Sequence, residues 1–367
     1  MAAAPERQVR DELRSVAREL LAKGQASEGG PRRRLAEAGW LGLEVPEELD
    51  GAGVTFAETA VVLEELGRAA ARTGYFGTAV LAAGTLTALQ PTAERDALLR
   101  RTASGTEALT AALVDAADDS LVAGTFDDTD VPFRIEDSPA GRQLSGHAGF
   151  VPDAAEADRL LLLALDPAGA PVVVLLAPGA QGLTVTGQPV LDATRRFARV
   201  RAEAVAPDAG CVLRFDGEPR RAVGRLLDRA AVATACDSLG LAEAMLQATV
   251  AHTRGREQFG RPVGSFQAVK HACADMLVRL SVSRHLVSEA VRLIAADHVE
   301  AGVAASMAKS YVCAAAVDVV GKAMQLHGGM GYTWESGIHV HLKRATLNRS
   351  LFGSPAAHRR RLARRYR

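Results

Sequence analysis

The sequence predicts an α+β protein whose strands are gathered in the middle of the chain, and three observations carry that prediction. Over residues 7–104, apolar side chains recur three and four positions apart, the period of helices with one buried face, with the Pro46–Gly53 loop as the clear interruption. From Leu109 to about Asp216 the text turns to short apolar runs, Ala164-Leu165 and Val172 to Ala177 among them, cut by clusters such as Asp166-Pro-Ala-Gly-Ala-Pro. From Arg221 onward helical spacing returns, as in Phe266, Val269, Cys273, Met276, Leu277 and Leu280, in stretches long enough for a bundle. The expected organisation is an N-terminal α domain over 1–105, a middle β domain over 106–218 and a C-terminal helical domain over 219–367.

This order is not the alternating βαβ pattern of a doubly wound nucleotide-binding protein. No G-x-G-x-x-G follows a strand and no G-x-x-x-x-G-K-[ST] occurs, so any nucleotide must be held in another way. With 367 residues, 48% of them hydrophobic, the chain can bury a core without metals or disulfides. Its 43 basic and 43 acidic residues cancel, which leaves no overall field to concentrate nucleic acid as a partner. The basic set is five Lys and 38 Arg, a skew that reads as GC-rich coding.

Cys211, Cys236, Cys273 and Cys313 stand far apart without a C-x-x-C pair and read as reduced core thiols. The start, Met1-Ala-Ala-Ala-Pro-Glu-Arg, lacks the apolar stretch of a secretion signal, and the longest apolar runs, such as Leu160 to Leu165 and Pro171 to Pro178, are too short to span a bilayer. No membrane and a cytoplasmic address are expected. The basic run from Arg359 to Arg367 reads as a solvated or dipole-compensating helix end rather than an anion site. The histidines 252, 271, 327, 339, 341 and 358 show no metal-ligand spacing with a carboxylate and read as solvated or packed imidazoles.

Three groups of residues carry a family resemblance. The first is Gly39-Trp-Leu-Gly-Leu-Glu-Val-Pro-Glu-Glu-Leu-Asp-Gly-Ala-Gly, followed by Val62-Leu-Glu-Glu-Leu-Gly-Arg. The second is Leu144-Ser-Gly-His-Ala-Gly-Phe-Val-Pro-Asp, with Ala157-Asp158 beyond it. The third and longest is Arg256-Glu-Gln-Phe-Gly-Arg-Pro-Val-Gly-Ser-Phe-Gln-Ala-Val-Lys-His with Ala274-Asp275-Met276, then Gln325-Leu-His-Gly-Gly-Met-Gly-Tyr-Thr-Trp-Glu. In this order they resemble the acyl-CoA dehydrogenase family over nearly the whole chain. The resemblance implies a β-barrel-like middle domain, a C-terminal four-helix bundle and FAD as cofactor.

A dinucleotide pyrophosphate calls for a fixed, always charged donor fork and for backbone that can approach closely; Arg256 and the Gly328-Gly329 pair are groups of those two types. In the family, the residues matching Arg256, Gln258, Phe259, Gln267, Gln325, Gly328 and Gly329 grip the ADP half of FAD seated in a neighbouring subunit, so the resemblance also implies an oligomer.

Family chemistry removes the α proton of an acyl-CoA with a Glu while the β hydrogen leaves as hydride to the flavin. The two positions where the family keeps that Glu fall here on Phe352 and Ala230, neither of which accepts a proton. The family's T-E-P-x-x-G-S text appears as Leu113-Val-Asp-Ala-Ala-Asp-Asp-Ser, and its ring-contacting Trp-x-Thr as Phe150-Val151-Pro152. Asp228, Asp237 and Glu335 are the carboxylates weighed as substitutes. A step of two residues turns a helix by about 200°, which aims Asp228 away from a site served by residue 230. Asp237 reads as a packing or salt-bridge residue and Glu335 as a turn or cap residue.

The reading that follows is a catalytically deficient subunit of a hetero-oligomeric acyl-CoA dehydrogenase in lipid or steroid catabolism. It donates FAD contacts to a second family subunit, which binds the acyl-CoA substrate and passes electrons to an acceptor protein. The alternatives are a self-sufficient homotetramer with a non-standard base, acting on CoA- or carrier-bound acyl groups, and a structural partner that binds no flavin.

Overall fold

A computed structural model describes residues 4–22, 30–119, 130–139 and 141–365. Of the segments singled out above, residues 1–3, Ser120 and residues 366–367 lie outside them. The N-terminal helices are α1 (Ala4–Ala22), α2 (Gly30–Glu37), α3 (Phe56–Arg68), α4 (Gly84–Thr87) and α5 (Ala93–Ala103). The helical text is more broken than its period suggests. Besides the Pro46–Gly53 loop, the chain leaves helix between α3 and Tyr75, and Phe76–Ala83 winds as a π-helix before running into α4. A π-helix displaces carbonyls from their usual partners, and here Arg229 donates to Val80 O at 3.2 Å and Ala79 O at 3.4 Å. Arg229 is itself held in a two-pronged pair with Glu44.

Among the described residues eight strands follow: β1 (Leu109–Ala112), β2 (Phe133–Ser138), β3 (Gly141–Pro152), β4 (Arg159–Leu165), β5 (Pro171–Leu176), β6 (Leu183–Gln188), β7 (Phe197–Val205) and β8 (Val212–Arg214). They pair in the order β6-β7-β3-β2-β4-β5-β8, with β1 added parallel to β4. One apolar core gathers Phe133, Leu144, Leu162, Val174, Leu183 and Val200 from six strands, so the ladder curls around a shared interior. Strand β4 is buried on both faces. Its Leu160, Leu162 and Ala164 enter that interior, while Leu161, Leu163 and Leu165 join the core shared with the helices. An unbroken apolar run is the consequence of two buried faces.

The C-terminal part comprises α6 (Pro219–Gly255), a hairpin of β9 (Glu257–Gln258) and β10 (Arg261–Pro262), α7 (Gln267–Ala295), α8 (Ala301–Leu326), α9 (Ile338–Ser350) and α10 (Pro355–Arg365). By length and composition α8 is apolar enough to cross a membrane, which corrects the expectation that no run is long enough. Fourteen of its residues are buried within the fold, among them Ala305, Val312 and Val320, as befits the core helix of a bundle. Helices α3 and α6 cross at two glycines. A Cβ on Gly67 would meet Asp237 O at 2.1 Å, and one on Gly240 would meet Glu64 O at 1.9 Å, so the crossing admits no side chain at either position.

Cys236 and Cys313 are buried, but Cys211 and Cys273 are only half-buried, which limits the core-thiol expectation to the first pair. In the basic C-terminal helix Arg359, Arg360, Arg364 and Arg365 are exposed, as a solvated helix end would be, while half-buried Arg361 pairs with Asp228, Arg365 with Glu300 and Arg360 with Asp119.

The parts are joined at Asp237, which is fully buried in α6. Arg344 of α9 donates to both carboxylate oxygens, the Asn348 amide donates at 2.6 Å, and Arg195 reaches in from the β6–β7 loop at 3.1 Å. Arg344 also donates to Ala71 O beyond α3 and to Thr194 Oγ1. Burial alone would raise the carboxyl, but Arg344 and Arg195, with the bonds from Arg344 and Asn348, hold it down at about 2. Its folded value lies below the ordinary Asp value of about 3.9, so its contribution to stability is present above that value and is lost as pH falls through about 2. Asp237→Ala strands two buried guanidinium groups and is expected to cost about 3 to 5 kcal/mol. Denaturant unfolding measures this loss, and the variant should also show a smaller further loss of stability on acidification than the parent.

Candidate functional site

At the end of α6 the chain turns sharply. The Arg256 N–H donates to His252 O at 2.9 Å, its carbonyl accepts from Val263 N at 2.8 Å, and Phe259 and Gly260 take positive φ of 56° and 73° across the hairpin turn. Two successive left-handed residues match the twist of a two-residue hairpin, at some strain for Phe259. The Phe259 ring is 90% exposed and meets only the edge of Phe266, whose face is covered by the Arg261 guanidinium at 4.1 Å. Gln267, also exposed, opens α7.

The end of α8 lies beside this hairpin. Gln325 is exposed and accepts from Lys322 at 2.8 Å; His327 ends the helix, and Gly328 adopts φ 62°. A Cβ on Gly331 would sit 2.3 Å from Met324 O, so the turn folds back tightly on α8. The two segments meet through the stacked rings of His252 and His327, 4.4 Å apart and 20° from parallel. The structure therefore brings Arg256, Gln258, Phe259 and Gln267 to the same end of the bundle as Gln325, Gly328 and Gly329, and all seven are exposed. The spacing of the motifs carried no sign of the histidine stack, whose members had read as solvated or packed imidazoles.

The two positions where the resemblance places the family's Glu, Ala230 and Phe352, are closed. Ala230 is fully buried, and Phe352 is 5% exposed, stacked on Phe76 with ring centres 5.5 Å apart. The Phe352 N–H donates to Ala116 O at 2.7 Å, and its carbonyl accepts from His358 Nε2 at 3.0 Å. Asp119 accepts from both the backbone N–H and the hydroxyl of Ser354, at 2.7 and 2.6 Å. Asp115 accepts from Gly149 N–H at 3.2 Å. The described part of the Leu113–Ser120 stretch thus folds against the Leu351–Ser354 loop and strand β3.

On the other side, the Phe150 N–H donates to Gln188 Oε1 at 2.6 Å and the Pro152 carbonyl accepts from Thr110 Oγ1 at 2.7 Å. The loop after α9 is pinned further by fully buried Lys309, which donates to Asn348 O and whose ammonium is pushed down by burial. Burial also pushes His358 down, to about 3, so it carries a neutral ring between Ser306 and Phe352.

The carboxylates weighed as substitutes are accounted for. Asp228 is paired with Arg361, Asp237 with Arg344 and Arg195, and Glu335 lies in an exposed turn. Sequence reasoning passed over Asp153, directly after Pro152. Burial pushes its carboxyl up to about 6 against the pull of Arg195, and it accepts from Gly77 N–H at 3.3 Å in the π-helix. It also missed Arg195, whose guanidinium lies over Phe76 at 5.1 Å; only its place in the β6–β7 loop, far from any motif, marked it in the sequence.

Comparison with known proteins agrees with this architecture. Residues 1–106 match the acyl-CoA dehydrogenase N-terminal domain and residues 220–367 the acyl-CoA dehydrogenase C-terminal domain. The acyl-CoA dehydrogenase IpdE2 of Mycobacterium tuberculosis is 31% identical over 331 residues, covering 89% of this chain and 83% of that protein. A variant of the Tcur3481-Tcur3483 steroid ACAD is a structural neighbour with a TM-score of 0.81 at 29% identity, covering 97% of each chain. The ChsE4-ChsE5 complex of Mycobacterium tuberculosis shares the fold, with a TM-score of 0.85 at 24% identity over 100% of this chain and 98% of that one. With both terminal domains matched and a relative this similar over most of its length, the chain belongs to the acyl-CoA dehydrogenase family.

Proposed function

We propose that this chain is the base-deficient subunit of a hetero-oligomeric acyl-CoA dehydrogenase, and that it lends ADP-side contacts to FAD seated in a catalytic partner. One observation carries the reading: the place from which a carboxylate would reach the substrate holds Phe352, packed on Phe76, with its N–H already bonded to Ala116 O. A thioester α carbon is a weak acid, so its proton leaves only to a base in contact with it and with hydrogen-bond donors free to stabilise the developing charge. Here the side chain is apolar and the backbone donor is used. Asp228 and Asp237 are neutralised in guanidinium pairs, which argues against a self-sufficient homotetramer relying on either.

The opposite end of the molecule is built for binding. Arg256 supplies a guanidinium fork for a pyrophosphate, and Gly328 and Gly329 let a phosphate approach the backbone without meeting a Cβ. Gln258, Phe259, Gln267 and Gln325 flank these groups. All of them face outward, as contacts made to a neighbour's cofactor must. FAD, when bound, supplies the hydride acceptor; this chain's share is to hold its phosphates.

Exposed apolar side chains on α7, Leu277, Val278 and Val282, together with Tyr332 and Trp334 after the glycine-rich turn, leave surface for a second subunit. The steroid ACAD neighbour favours a CoA thioester of a steroid or related lipid as the substrate of the assembly, with an electron-transfer protein as the acceptor that reoxidises the flavin.

The protein expressed alone is expected to carry little FAD and to show no acyl-CoA oxidation, whereas co-expression with its partner yields a flavin-loaded, active complex. A yellow, active homo-oligomer would overturn the proposal. In the complex, Arg256→Ala removes charge-assisted hydrogen bonds worth about 1.5 to 3 kcal/mol each, so FAD affinity should fall by an order of magnitude or more. Flavin content per complex after gel filtration measures it.

Phe352→Glu places a carboxylate in an apolar contact with Phe76 and leaves Phe150 and Pro152 unchanged on the flavin side. The variant should stay inactive without its partner and lose about 1 to 3 kcal/mol of stability. Turnover by the lone variant, assayed together with its melting temperature, would show that only the base was missing.

A further inference from the structure

The two segments proposed to grip the dinucleotide belong to different helices, and little of their own packing fixes the distance between them. Every residue from Gly255 to Pro262 is exposed, and the hairpin strands are two residues each. The Gly328–Tyr332 turn is exposed except at Gly331. Their helices α6 and α8 pack along the bundle, and at the ends that bear the two segments the helices meet through the face-to-face contact of His252 and His327.

Each histidine lies directly beside the segment beyond it, His252 through its backbone and His327 through its ring and backbone. The His252 carbonyl accepts the Arg256 N–H at 2.9 Å, so a shift of His252 carries the root of the Arg256 side chain with it. The His327 ring nitrogen Nδ1 lies 2.8 Å from Ala323 O, which also accepts the His327 backbone N–H at 3.0 Å, so this ring is oriented by its own helix immediately before Gly328. Contact with a carbonyl assigns the proton to Nδ1.

The charges that bear on His252 come from His327 across the contact and from Arg256 on its own helix end; together with burial they favour the neutral ring. The two near-parallel imidazoles make an aromatic contact between the last turns of α6 and α8.

We infer that His252 and His327 are a positioning pair, whose stack sets the separation between the Arg256 hairpin and the Gly328-Gly329 turn that a bound dinucleotide must span. The inference rests on the proposed trans-donation of FAD contacts for its purpose, but its mechanical content is testable without flavin. Hydrogen–deuterium exchange on the isolated chain, read by mass spectrometry, compares the parent with His252→Ala and His252→Phe. His252→Ala should speed exchange of the Gly328–Tyr332 amides, on the far helix, by roughly two- to tenfold, the size of one lost aromatic contact. His252→Phe restores a ring without a titrating nitrogen and should return exchange to the parent rate.

Unchanged exchange in His252→Ala, or equally fast exchange in His252→Phe, overturns the inference; a melting temperature for each variant separates local loosening from global instability. Arg256→Ala keeps the stack and should leave this exchange unaltered, so the two ideas fail separately. Flavin lost from the Arg256→Ala complex without coupled exchange in His252→Ala sinks the positioning pair alone. Flavin retained with coupled exchange sinks the trans-donation alone.

Discussion

A single buried carboxylate, Asp237, is the constraint on which the architecture depends. It lies in α6 beside the glycine crossing with α3, receives guanidinium groups from α9 and from the β6–β7 loop, and is bonded by Asn348 near the end of α9. Charges removed from water are tolerated only when paired, so this network favours one relative arrangement of the sheet, the N-terminal helices and the bundle. The same α9 that it anchors leads directly into Leu351–Ser354. The placement of Phe352 is thus a consequence of the network as well as of its own contacts with Phe76 and Ala116.

The molecule divides sharply into a closed end and an open one. Around Phe352 the polar groups are satisfied within the chain: Asp119 by Ser354, Asp115 by Gly149, the Pro152 carbonyl by Thr110, the Phe150 N–H by Gln188, and His358 by Phe352 and Ser306. Around Arg256 and the glycine-rich turn, the groups face outward and their neighbours are mainly one another. On the proposed reading, a chain with its own active site would leave donors unspent near the reacting atoms. This one spends them on itself and keeps its exposed cation and bare backbone at the far end of α6.

Much of the fold was legible because burial imprints a period on the sequence. The short apolar runs after Leu109, such as Val172 to Ala177, announced a β region, and the helical spacing after Arg221 announced a bundle; that β4 is buried on both faces only the structure shows. The π-helix at Phe76–Ala83 was not legible, since its stability comes from Arg229, about 150 residues away in the chain. The apolar length of α8 was likewise misjudged, because Lys309 interrupts its text although the structure buries that lysine against Asn348 O.

By itself the sequence determined which chemical groups are present: a guanidinium and paired glycines at motif spacing, and phenylalanine, alanine and proline where a base and flavin contacts stand in relatives. Those are properties of residue type, which order and identity specify completely. Only the tertiary structure decided how they are disposed: that Phe352 fills its space and has its N–H taken, that Asp228 and Asp237 are already paired, and that His252 meets His327 between the two binding segments. Such facts depend on contacts between residues distant in the chain, and the local period and motif spacing of a sequence carry no record of which distant partners will meet.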